Sequence, residues 1–102
     1  MSTNVFIIEF VLRYPDFRGD GMGDMQLNPK IVGEVIARFR SKKGLTQEVL
    51  SGLSDIGRTH LSAIERGERK PTLETLYRIS CALGVKMSEI VAAMEEELEQ
   101  EK

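Results

Sequence analysis

The chain has 102 residues, 41% of them hydrophobic, with one cysteine, one histidine and a formal net charge of −2. That length allows one domain with a modest core, and a single cysteine beside a single histidine excludes an internal disulfide and a zinc site, which points to a reducing cytoplasm. The small net charge hides a basic middle: residues 30–91 carry eleven basic and seven acidic side chains, against two and four in residues 1–29 and one and five in residues 92–102, a distribution that suits a partner rich in phosphate.

Residues 5–14, VFIIEFVLRY, place Phe6, Ile8, Phe10, Leu12 and Tyr14 on one side of an alternating pattern and predict a β-strand. Everything downstream reads as helix, so such a strand needs a second copy of the chain as its partner, which makes the segment a candidate dimerisation arm. A loosely packed leader is the alternative. The run is too short, and too interrupted by Glu9, to cross a membrane or to act as a secretion signal. Residues 15–26, rich in glycine and aspartate, read as a linker.

Asn28 and Pro29 announce the first helix, whose apolar stripe is Val32, Val35, Ile36 and Phe39 and whose end is Gly44. Thr46 caps a second, with Gln47 in its first turn placed to donate to a DNA phosphate, Val49, Leu50 and Leu53 expected inward, and Ser54 and Asp55 in the turn that follows. A third helix starts at Gly57. Its Leu61 and Ile64 point inward, and Arg58, Thr59, Ser62, Ala63 and Arg66 form an outward stripe. Arginine can grip guanine O6 and N7 together, and small neighbours let the backbone approach a groove. The same stripe also suits an ordinary amphipathic helix with a solvated face.

Gly67 stops that helix, and the GERKP loop offers Arg69 and Lys70 as clamps on a nucleic-acid backbone. Pro71 and Thr72 open a fourth helix with Leu73, Leu76, Ile79 and Leu83 inward, Cys81 as a small packing residue and Gly84 at its end. Ser88 is the expected cap of a fifth, along which Ile90, Val91, Met94 and Leu98 extend past what a small core absorbs, some of them toward a partner chain.

Taken in order, LTQEVL, RTHLSAIERG, PTLETL and ALGV resemble the Cro/repressor-type helix-turn-helix family, also called XRE, over residues 31–91. Within it, RTHLSAIERG is most similar to the controller proteins of restriction-modification systems. The resemblance implies an all-α, five-helix, lambda-repressor-like DNA-binding domain at residues 30–91, after an N-terminal extension (1–29, with the strand) and before an acidic extension of the fifth helix (92–102). It implies a homodimer on a palindromic operator of double-stranded DNA, with recognition helices 57–66 in major grooves about 34 Å apart.

Carried over by position, the resemblance assigns Arg58, Thr59, Ser62 and Ala63 to bases and Gln47, His60, Arg66, Arg69 and Lys70 to phosphates. It assigns Arg40 and Glu65 to an ion pair that fixes register between helices. His60 stands where the family often has an aromatic residue, and it reads equally as a surface histidine. The chain also departs from the family at Gly57, Asp55 and Ser51, where a Ser, Thr or Asp cap, a Gly or Asn and an Ala are usual.

The expected function is therefore a DNA-binding transcriptional repressor without a cofactor. The alternative is an antitoxin-like interaction module that binds a toxin partner through its N-terminal segment or tail and autoregulates its promoter. An enzyme is not expected: the sequence offers no Ser/His/Asp set, no metal cluster and no phosphate loop.

Overall fold

Side chains at segment ends decide where the helices start. Asn28 Oδ1 accepts the Lys30 amide at 2.9 Å beside Pro29, Thr46 Oγ1 accepts the Val49 amide at 3.1 Å, and Thr72 Oγ1 accepts the Thr75 amide at 3.0 Å. Each satisfies a donor that a first turn would otherwise leave open. The computed structural model describes residues 25–101 together with Ile8, Glu9, Leu12 and Arg13. It holds α1 (Pro29–Lys42), α2 (Gln47–Ser54), α3 (Arg58–Glu65), α4 (Leu73–Leu83) and α5 (Met87–Gln100). The cap of α5 is Lys86 rather than Ser88, with the Lys86 amide donating to Glu89 Oε1 at 3.2 Å. Among the described residues there is no strand, and no helix is long and apolar enough to cross a membrane.

One side of each helix meets the others in a single core: Val32, Val35 and Ile36 from α1, Leu50 from α2, Leu61 and Ile64 from α3, Ile79 and Leu83 from α4, and Ile90 and Met94 from α5. Burying an aliphatic side chain of this size contributes about 1.5–3 kcal/mol. Helix α2 packs on α4 and α3, and α1 packs on α3 and α5.

The joint between α1 and α3 is closer than side chains permit. Gly33 is buried within α1, and a Cβ there would overlap the Ile64 carbonyl oxygen and lie 2.6 Å from the Glu65 carbonyl oxygen. Only a hydrogen at this position lets α1 rest on the last turn of α3. Gly67, at φ 79, then carries the chain off α3 directly over Lys30 of α1.

The strand expected over residues 5–14 is not supported. Ile8, Glu9, Leu12 and Arg13 are helical and exposed, and the rest of that stretch lies outside the described residues. A helical backbone pairs its own amides and carbonyls, so the reason for invoking a second copy's strand falls away. Alternation is a poor guide here because Val5, Ile7 and Val11 make three of the five positions on the second side apolar as well. Glu9 and Arg13, by contrast, stand at the i, i+4 spacing that favours a helix.

Helix α2 is also rotated from expectation, and α4, whose Leu76, Ile79 and Leu83 are buried as expected, leaves its first residue outside the core. Val49 and Leu53 are 46% and 61% exposed and Leu73 is 72% exposed, while Leu50, Ser51 and Ser54 make the buried edge of α2. Ser54 Oγ donates to the Leu50 carbonyl at 2.6 Å and Ser51 Oγ to the Glu48 carbonyl at 3.0 Å. A serine paired with its own helix is small enough for close contact and leaves no polar atom unsatisfied. Ser80 does the same on α4, donating to the Tyr77 carbonyl at 2.7 Å. Cys81, expected as a packing residue, is exposed instead. Ser54 belongs to α2, and Asp55 alone forms the left-handed step after it, at φ 57.

Candidate nucleic-acid interface

Gly57 begins α3 in an extended conformation without a side-chain cap, so the first amides of the helix stay open. Leu61 and Ile64 are fully buried. That orientation turns Arg58 and Thr59 to solvent and leaves His60 and Ser62 half-buried at the edges. Ala63 does not join this flank: it is only 9% exposed, and the chain leaving α3 turns back onto it, with the Glu68 amide donating to the Ala63 carbonyl at 2.9 Å. Its methyl therefore has little surface to offer a base, contrary to the expectation from position.

Arg66 caps the C-terminus of α3, and its guanidinium is engaged within the chain. Nε and Nη2 donate to the two carboxylate oxygens of Glu68, each at 2.9 Å, and Nη1 donates to Ser62 Oγ. The mutual hydrogen bonds, reinforced by charge attraction, raise the pKa of Arg66 and lower that of Glu68. Arg69 and Lys70 follow in the same loop, both exposed.

Behind the flank, Arg40 and Glu65 meet as a fork. Nε donates to Oε2 at 2.7 Å and Nη2 to Oε1 at 2.9 Å, while Nη1 donates to the Leu45 carbonyl at 2.8 Å. Gln47 Nε2 donates to the same Oε1 of Glu65 at 2.8 Å, so one of its two amide hydrogens is held inside the protein and one is left for a partner. Only 18% of the Arg40 side chain and 5% of the Glu65 side chain remain exposed. Hydrogen bonding to Glu65 raises the Arg40 pKa, burial works against that, and charge attraction adds to it. This cluster ties α1, α2 and α3 together at one point.

Where these helices meet, Arg40, Leu45, Thr46, Gln47, Glu48 and Arg58 line an open hollow of about 480 Å³. Gln47 and Arg58 thus share one surface with the open N-terminus of α2, an arrangement able to hold an anionic oxygen. Sequence reasoning missed three partners: Glu68 for Arg66, the Leu45 carbonyl for Arg40 and Glu65 for Gln47. The only signal for the first was an acid two residues after an arginine, which is too common to carry weight.

A helix-turn-helix family model matches residues 36–90. The chain is 46% identical over 67 residues to an uncharacterized HTH-type transcriptional regulator, y4dJ, of Sinorhizobium fredii, covering 66% of this chain and 87% of that protein. It is 37% identical over 62 residues to the control protein C.BamHI of Bacillus amyloliquefaciens, covering 60% and 76%. Among solved structures, the restriction-modification controller protein C.Esp1396I, a tetramer in complex with its natural 35 base-pair operator, superposes with a TM-score of 0.65 at 33% identity over 72% of this chain and 96% of that one. The controller protein C.AhdI of Aeromonas hydrophila gives 0.61 at 29% identity, covering 64% and 98%. With the helices, their order and the exposed flank of α3 as described, the chain belongs to the Cro/repressor-type, or XRE, helix-turn-helix family of DNA-binding transcriptional regulators.

Proposed function

We propose that the protein is a sequence-specific repressor that binds a palindromic operator as a homodimer, with one α3 in the major groove of each half-site. The observation that carries this reading is the flank of α3, where Arg58 and Thr59 are exposed and Ser62 is open at its edge, on a helix anchored from behind by Leu61, Ile64 and the Arg40–Glu65 fork. Arg58 grips a guanine edge, and the hydroxyls of Thr59 and Ser62 hydrogen-bond to base edges. Gln47, through its second amide hydrogen, joins the α2 N-terminus, His60, Arg69 and Lys70 in holding phosphates. The Arg40–Glu65 fork sets the tilt of α3 against α1. The tetrameric operator complex of a similar controller protein supports an oligomer on DNA as the working form.

The test is selection of bound duplexes from a random-sequence pool, with sedimentation of the free protein. The expected outcome is a two-fold symmetric motif with half-sites centred about one helical turn, roughly 34 Å, apart, and a species of twice the chain mass. A pool that shows no enrichment at low salt counts against the reading.

A further inference from the structure

Lys30 stands exposed in the first turn of α1, three residues before Gly33 and on the same side of the helix. The close approach at Gly33 therefore brings Lys30 onto the chain that leaves α3. A Cβ on Gly67 would lie 2.9 Å from both Cα and Cγ of Lys30, so the lysine stem runs over the start of the loop in which Arg69 and Lys70 are exposed. Residues far apart in sequence thus bring three cations to one corner of the molecule.

The acids of that corner do not neutralise them. Glu68 is held through both carboxylate oxygens by Arg66, which offsets its charge. Glu34 lies one turn along α1, and Glu101 Oε2 accepts from Asn28 Nδ2 at 3.0 Å. Neither forms an ion pair with Lys30, and among the described residues Arg69 and Lys70 have no such partner either. The first turn of α1 contains no acid, although an acid there would suit the helix dipole and a lysine works against it. Like charges gathered in this way repel one another, and an anion among them relieves the repulsion.

We propose that Lys30 contacts the DNA backbone and completes, with Arg69 and Lys70, a three-cation clamp on phosphates beside the groove that α3 enters. The inference rests on the reading that α3 lies in the major groove with the loop after it against the backbone. Lys30 then adds affinity for any duplex and no choice of base. Gly33 and Gly67 serve the clamp from behind, since they let α1 come near enough to the loop for a side chain at position 30 to share its partner.

The test measures binding against salt concentration, on a selected and on a random duplex, for wild type, Lys30→Gln, Lys30→Arg, Lys70→Gln and Lys86→Gln. The last removes the same charge at the start of α5, outside the proposed surface. Lys30→Gln should lower the slope of log affinity against log salt by about one unit on both duplexes, as Lys70→Gln does, and leave the selected motif unchanged. Lys30→Arg and Lys86→Gln should keep the wild-type slope. Thermal unfolding midpoints should not move, because the Lys30 side chain is exposed and holds no partner. The proposal is overturned if Lys30→Gln keeps the wild-type slope, if it lowers the slope no more than Lys86→Gln does, or if Lys30→Arg loses as much as Lys30→Gln. A slope lowered by Lys70→Gln alone would end the role of Lys30 and leave the loop contact standing. If Lys70→Gln also changes nothing, or wild type selects no motif, the reading beneath the clamp fails with it.

Discussion

Among the described residues, two arginine–glutamate forks have nearly the same geometry in opposite surroundings. Arg40–Glu65 closes at 2.7 Å between residues 25 apart in sequence, and Arg66–Glu68 closes at 2.9 Å between residues two apart. Glu65 keeps 5% of its side chain exposed and Glu68 keeps 59%. Distance alone would rank the two as equals. Water separates them: removing one partner of a buried pair strands a charge that solvent cannot reach, whereas an exposed pair falls back on hydration at little loss. The first fork therefore belongs to the fold and the second adds little to it.

The strongest blow to this contrast is Glu65→Ala, expected to lower unfolding free energy by about 3–5 kcal/mol in a denaturant titration, since it leaves Arg40 half-desolvated without a carboxylate. Replacing both partners with apolar residues, Arg40→Met with Glu65→Leu, should recover most of that loss, because no stranded charge remains. Gly33→Ala attacks the same α1–α3 joint through the backbone and should cost about 2–3 kcal/mol by overpacking against the Ile64 and Glu65 carbonyls. Combined with Glu65→Ala its effect should be non-additive, since both act at one contact.

Smaller effects are expected on the DNA side. Arg58→Ala should lose about 1–3 kcal/mol of operator binding and relax one base pair, measured on a selected duplex. Lys70→Ala should weaken all duplexes alike and lower the salt slope by about one unit. Smallest of all, Glu68→Ala should leave the unfolding midpoint where it is; a shift approaching that of Glu65→Ala would erase the distinction between the forks.

Much of this was legible in the sequence, because cap chemistry is local. Asn28, Thr46, Gly57 and Thr72 act within three residues of themselves, so helix starts follow from them directly. Arg40 and Glu65 were paired only through the family resemblance, since no local rule joins residues 25 apart. The rotation of α2 was not legible: in an eight-residue helix, Val49, Leu50 and Leu53 support more than one inward edge, and two serines that satisfy their own hydroxyls took the buried places. Gly33 gives no local signal, since its role depends on how near another backbone comes. Helical angle and family position both put Ala63 on the open flank, and neither carries a sign of the loop that returns onto it after α3.

We propose that the flank of α3, with the start of α2 and the loop after α3, meets DNA. Titrating isotope-labelled protein with its selected duplex and following backbone amide shifts by NMR tests it most directly. The largest changes are expected at residues 46–47, 58–62 and 69–70, with α5 nearly still. Shifts concentrated on α4 and α5, with Arg58, Thr59 and Ser62 unmoved, would contradict it.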